Sequence, residues 1–309
     1  MNVTLLLLFG FLFSILAAIG YYFGLSAYIM LILALLLVFF QWLIGPKIIW
    51  WTTNMRLLGR NEYPWIWHTV EDLCKRNKLP IPKLALVRTG SPNAMIFGRT
   101  PSSATLGITE GLLKILNKDE IKSVLAHEIG HHKNKDMIYL TIAGAIPILM
   151  YYIAQSMLWS RSSREDRNAG TAALIGIGAF LVYFITNLLV LYLSRLREYY
   201  ADDFSGKNYR PKILAGALAK ITYGLSISED KERSGVKYFS IADASSAVHE
   251  ISRFKDEYAD LELNEKELKG AMEWEKRNPF AKLSEVFSSH PLTFKRINEL
   301  MKLEKEREN

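Results

Sequence analysis

His127-Glu128-Ile129-Gly130-His131 is the stretch on which the reading of this chain turns. Two histidines four residues apart project from one face of a helix and can grip one Zn²⁺. The glutamate beside the first is then placed to take a proton from a metal-activated water. The competing reading is a chance match on a solvated helix, weighed against a total of only six histidines. Upstream, Asn117-Lys118-Asp119-Glu120 offers a capped start for the helix that carries both histidines. Lys118, Asp119, Glu120, Lys122, Lys133, Lys135 and Asp136 flank the motif. A helix so charged does not lie in hydrocarbon. The charge-free run Met137–Ser160 follows at once, which puts the expected chemistry at a membrane surface.

Further out, the apolar residues cluster. No charged residue occurs from Met1 to Pro46, enough for two crossings at about 20 residues each. A break near Gly20–Gly24 gives spans near 3–19 and 26–44, and Met137–Ser160 and Asn168–Ser194 supply two more. A cleaved signal peptide competes for the first run, which lacks a basic leader and runs into a second apolar stretch. The expectation is four transmembrane helices. Lys47, Arg56, Arg60, Lys133, Lys135, Arg195 and Arg197 collect at one side, against Arg161, Arg164 and Arg167 diluted by Glu165 and Asp166. That asymmetry predicts a multi-pass protein of the plasma membrane, with both termini and the motif facing the cytoplasm. Trp42, Trp50, Trp51 and Trp159 fit an interfacial belt or a packed core equally well.

The chain thus divides into two transmembrane helices (1–46), a first cytosolic part carrying the histidine helix (47–136), a transmembrane hairpin (137–194) and a second cytosolic part (195–309). The fold class expected is mainly α with a small β-sheet. Trp65–Lys78 reads as an amphipathic helix closed by Pro80 and Pro82. Leu84–Arg88, Ala94–Phe97 and Ser103–Ile108 read as strands and Ile108–Leu116 as a short helix. Helix also continues from the fourth span to about Phe204, and is expected over Lys212–Tyr223, Val248–Glu275 and Pro291–Glu306. Leu225–Ala247 reads as a loop. A net charge of +7 suits anionic lipid, and no aromatic-interleaved basic motif argues for nucleic acid. A transporter would need ionisable groups within the apolar runs, which hold none. Cys74 is the single cysteine, so no intramolecular disulfide forms, and it reads as a packed small hydrophobe.

A catalytic zinc takes a third protein ligand and leaves one position for water. Antiparallel spans three and four bring the start of one and the end of the other to the same surface. His131 lies about two helical turns before the third span, and Glu198 about one turn after the fourth. Glu198 is therefore read either as the third ligand or as an ion-pair partner of Arg195 or Arg197. Asp202, one turn further along the same face, is ready to accept the outer ring N–H of a zinc-bound histidine. His132 points about 100° away from His131 and reads as a surface residue. His68 and His249 read as structural.

Taken together these segments resemble the HtpX-type membrane metalloproteases, gluzincins related to proteases of prenylated CAAX substrates. The resemblance rests on Pro92-Asn93-Ala94 ahead of Gly98, on His127–His131 with Asp136 after it, on Ser194-Arg-Leu-Arg-Glu198-Tyr-Tyr-Ala-Asp202, and on Ser289-His290-Pro291 with Arg296 downstream. It implies a zincin-like domain with one Zn²⁺ per chain held by His127, His131 and Glu198, and with Glu128 as general base. It implies four spans and hydrolysis of membrane or misfolded polypeptides. It implies that Asn93 and Ala94 belong to an edge strand that pairs with extended substrate, where Asn93 alone reads equally as a turn residue. His290 would stabilise the oxyanion, although Pro291 also suits a helix start. The chain departs from the family pattern at Met95-Ile96-Phe97.

Overall fold

The computed structural model describes residues 27–159, 169–223 and 265–308. The span expected near 3–19, the arginines of 161–167, the 225–247 segment and His249 lie outside the described residues. The chain separates into two units. One comprises Met1–Gly45 with Ile138–Leu193, the other Pro46–Met137 with Ser194–Asn309.

Apolar helices make up the first unit. Helix α1 (Ala27–Thr52) ends in the second unit, α5 (Asp136–Trp159) begins there, and α6 (Ala169–Asn208) runs unbroken through both. Among the described residues, Leu174–Asn208 is long and apolar enough to cross a membrane, and Asp136–Tyr152 is a shorter apolar helix. Within this unit the rings of Tyr151 and Tyr183 meet at 5.3 Å.

The second unit is built on a four-stranded sheet. Its strands are β1 (Met55–Leu57), β2 (Lys83–Val87), β3 (Ala94–Phe97) and β4 (Thr105–Thr109), in the order β1-β2-β4-β3. The β2–β4 pair is parallel, with Ala85 opposite Gly107, and the β1–β2 and β3–β4 pairs are antiparallel. Leu84 to Val87 form a continuous apolar run because β2 is covered on both faces. Strand β3 lies at one edge of the sheet.

Helices α2 (Pro64–Arg76), α3 (Glu110–Ile115), α4 (Lys118–Lys133), α7 (Pro211–Tyr223), α8 (Glu265–Arg277), α9 (Pro279–Val286) and α10 (Thr293–Glu308) complete this unit. The core joins Ile66, Val70 and Leu73 of α2 to Leu125 and Ile129 of α4, Leu214 and Ile221 of α7, and Leu300 of α10. Burying each such side chain is worth about 1.5–3 kcal/mol, so the helix bearing the histidines is fixed by packing along its length. Cys74 is part of this core. His132 corrects the surface reading: it is wholly buried, with Nε2 2.8 Å from the Pro80 carbonyl oxygen. Burial lowers its pKa. The 100° turn away from His131 points it into the protein, because α4 is covered on that side as well.

Candidate metal centre

Helix α4 starts where its sequence can satisfy its own first amides. Asn117 Oδ1 accepts hydrogen bonds from the Asp119 and Glu120 amides at 3.0 and 2.9 Å, and Glu120 Oε2 accepts one from the Asn117 amide at 2.9 Å. About three turns later the helix meets α6 at Gly130. A Cβ there would lie 2.9 Å from Ala201 Cα and 3.2 Å from Ala201 O, so glycine permits the contact. Ser205 Oγ donates to the Ser123 carbonyl at 2.7 Å and ties the same two helices.

That close approach gathers His127, His131 and Glu198. The two Nε2 atoms are 3.1 Å apart. Glu198 Oε1 lies 3.4 Å from His131 Nε2, and Glu198 Oε2 lies 3.6 Å from His127 Nε2. Four ligands at about 2.0–2.1 Å around a tetrahedral ion stand about 3.3 Å from one another. The donor triangle fits such an ion. Glu198 Oε2 is buried and makes no aligned hydrogen bond, so its lone pairs are left for a metal beside the ion pair it forms with Arg296. Neutral imidazole and carboxylate donors suit zinc.

Around the triangle stand charged groups that orient it. His131 Nδ1 lies 2.6 Å from Asp136 Oδ2, and Arg197 donates both to Asp136 and to the Asn134 carbonyl. His127 Nδ1 comes within 2.9 Å of Asp202 Oδ1, an ion-pair distance without hydrogen-bond alignment. Arg296 donates through Nε and Nη2 to Asp202 at 2.8 and 2.6 Å, while its Nη1 lies 2.9 Å from Glu198 Oε2. Burial pulls the His127 imidazole pKa down, but the nearby carboxylates of Asp202 and Glu198 outweigh it and the net direction is up. His131 moves the same way, burial again opposed by Glu198. Burial likewise opposes the charge of Arg296, and Asp202 and Glu198 reverse the effect, so this cation is held firmly charged.

Glu128 is buried on the same helix, near enough for its charge to act on His131. His290 is partly exposed, with Nδ1 3.2 Å from Glu198 Oε1. Asn93 is fully buried and exchanges hydrogen bonds with Thr109: its amide donates to Thr109 Oγ1 at 2.8 Å, and its carbonyl accepts from the Thr109 amide at 3.0 Å. Ala94 opens β3 opposite Ile108. The structure therefore gathers His127, His131, Glu198, Asp202 and His290 into one cluster, and sets Asn93 and Ala94 at the start of the edge strand. Sequence reasoning missed the part played by Arg296, Asp136 and Arg197. A signal for Arg296 existed: it borders the apolar stripe of Phe294, Ile297 and Leu300 on α10.

Comparisons with known proteins bear on this geometry. The model of peptidase family M48 matches residues 60–304. The chain is 38% identical over 230 residues to a "Protease HtpX homolog" from Methanothermobacter thermautotrophicus, covering 73% of this chain and 86% of that one. It is 33% identical over 306 residues to a protein of the same description from Pyrococcus furiosus, covering 96% and 94%. Among solved structures, the S. mikatae Ste24p crystal structure superposes with a TM-score of 0.57 at 16% identity, covering 93% of this chain and 61% of that one. That last likeness is one of fold.

Proposed function

The chain belongs to peptidase family M48, and from that premise we propose that it is a zinc-dependent endopeptidase of the plasma membrane. It would hydrolyse membrane or misfolded polypeptides at the cytosolic face, a task of protein quality control. The observation that carries this reading is the triangle of His127, His131 and Glu198, with donor separations of 3.1, 3.4 and 3.6 Å, beside the buried carboxylate of Glu128. These three residues would hold one zinc ion per chain, and zinc in such a setting supplies Lewis-acid polarisation of a carbonyl and acidifies water. Glu128 takes the proton of the attacking water and delivers it to the departing amine. His290, whose Nδ1 is 3.2 Å from Glu198 Oε1, would donate a hydrogen bond to the carbonyl oxygen as charge develops on it. Asp202 holds the ring of His127, and Arg296 holds Asp202.

Strand β3 supports the substrate reading because it is an edge of the sheet and packs beside α4. An extended polypeptide can add to such an edge through main-chain hydrogen bonds, with Asn93 and Ala94 at its start. The membrane reading is supported by three charge-free runs, the first long enough for two crossings, by the apolar helix Leu174–Asn208, and by the outward-facing Ile32, Leu35, Phe39 and Phe40 of α1. A surface of this kind favours lipid over water. Four spans with Lys and Arg gathered on one side put both termini and the zinc site in the cytoplasm.

The test is Glu128→Gln in the full chain. The variant should retain one zinc per chain by metal analysis while cleavage of an unfolded substrate falls by about 10²–10⁴-fold. Undiminished cleavage would sink the assignment of Glu128.

A further inference from the structure

Helix α9 carries an apolar face that nothing among the described residues covers. Phe280, Leu283, Val286 and the capping Phe287 are 77, 59, 40 and 42% exposed. At 100° per residue these four fall within an arc of about 120°, so they form one stripe. The helix is well made at both ends. Asn278 Oδ1 accepts hydrogen bonds from the Phe280 and Ala281 amides, Pro279 occupies the first helical position, and buried Ala281 points inward. The outward stripe is thus a fixed surface.

Its other end is fastened by Arg195. The Nη1 of Arg195 donates to the carbonyls of Glu285, Val286 and Ser288 at 2.7, 3.3 and 2.7 Å. In the sequence Arg195 directly follows Asn168–Ser194, the run proposed above to cross the membrane. Helix α9 is therefore pinned to the first residue beyond that run. Its surroundings carry a small basic excess, Lys276, Arg277, Lys282 and Lys295 against Glu273, Glu275 and Glu285, with Lys276 and Arg277 sharing Glu273 and Lys282 bordering the stripe. Glu285 is neutralised by Lys295 at 2.6 Å. An apolar stripe bordered by surplus cations, next to the end of a membrane span, complements anionic headgroups above acyl chains.

We propose that α9 is a membrane-docking helix whose Phe280, Leu283, Val286 and Phe287 seat at the headgroup boundary of an anionic bilayer. This rests on the reading of Asn168–Ser194 as a membrane span. Because Arg195 also holds the Ser288 carbonyl, two residues before His290, docking would fix the loop that brings His290 beside Glu198.

The experiment uses the full chain in a Cys74→Ala background. Cys74 is buried and burial pushes its thiol up to about 12, so it contributes little labelling in any case. Phe280→Cys, Leu283→Cys and, as a control in the span, Phe184→Cys are each labelled with an environment-sensitive fluorophore. The proteins are placed in vesicles of phosphatidylglycerol and phosphatidylcholine, with or without lipids bearing an acyl-chain nitroxide. Phe280, Leu283 and Phe184 are all exposed, so none of the three labelling substitutions opens the core, and the shared Cys74→Ala background affects every sample alike. Labels at 280 and 283 should be quenched by roughly two-fold or more, as expected for a face lying about 5–10 Å into the boundary region. The quench should weaken in vesicles of phosphatidylcholine alone; an equal quench there overturns the electrostatic part. A quenched label at 184 with none at 280 or 283 overturns docking and leaves the membrane reading intact. Blue-shifted but unquenched emission at 280 also overturns it, since protein then covers the stripe. No quench at 184 overturns the membrane reading and this proposal with it.

Discussion

Arg296 is the residue on which the charge balance of the centre depends. It is 2% exposed and faces two buried carboxylates, Asp202 and Glu198. A buried cation so placed is costly to remove, because both carboxylates then lose their counter-charge inside the protein. Arg296→Met should lower stability by about 3–5 kcal/mol, read as a drop in the denaturation midpoint of the metal-free protein. Asp202→Ala acts more locally, releasing the ring of His127. Its expected signature is a zinc affinity about 10–100-fold weaker in chelator competition, and an unchanged affinity would remove the positioning role. Asp202 was legible because it falls one helical turn after Glu198. The pairing with Arg296 was not, because the two residues are 94 positions apart and only the packing of α10 joins them. His132 shows the same limit: a helical wheel gives direction, and what lies in that direction is settled by the Pro80 loop.

At the scale of elements, the close crossing of α4 and α6 sets the ligand geometry, and Gly130 permits it. In an exposed helix Gly→Ala stabilises by about 1 kcal/mol. Here the added Cβ would stand 2.9 Å from Ala201 Cα, backbone against backbone, with no flexible side chain to give way. Gly130→Ala should therefore destabilise by about 1–3 kcal/mol and weaken zinc binding while leaving every ligand in place. Thermal unfolding and zinc titration of the one variant decide it, and a more stable protein with normal affinity contradicts the argument. The long periodic elements were readable: the capping box at Asn117 places the start of α4, and the apolar period of α2 places its buried face. Strand β1 was not, since three residues carry no period, and its burial comes from pairing with β2. The parallel β2–β4 pair was hidden for a similar reason, because register between strands is a tertiary fact. Helix α9 escaped because its apolar residues face outward, where a reading based on core burial does not look.

The molecule as a whole assembles its proposed zinc site from two stretches of chain that the apolar segment Ile138–Leu193 separates. His127 and His131 precede residues 138–193 and Glu198 follows them, so the second unit is discontinuous in sequence. Glu198 lies deep inside the 40-residue helix α6, with helix on either side of it. If Ile138–Leu193 were replaced by a flexible Gly/Ser linker, α6 would begin at Ser194, with Arg197 in its first turn and Glu198 immediately after it. The first amides of a helix lack internal partners and that turn frays. Arg197, which clasps Asp136 and the Asn134 carbonyl, would fray with it. The contacts of Gly130 with Ala201 and of Ser205 with Ser123 lie further along and should persist, so the unit should still fold. Such a linker variant should keep its far-ultraviolet dichroism yet bind zinc about 10–100-fold more weakly than the full chain in detergent. Equal affinity in the two would mean that packing within the second unit alone positions Glu198 and that Ile138–Leu193 plays no part in it.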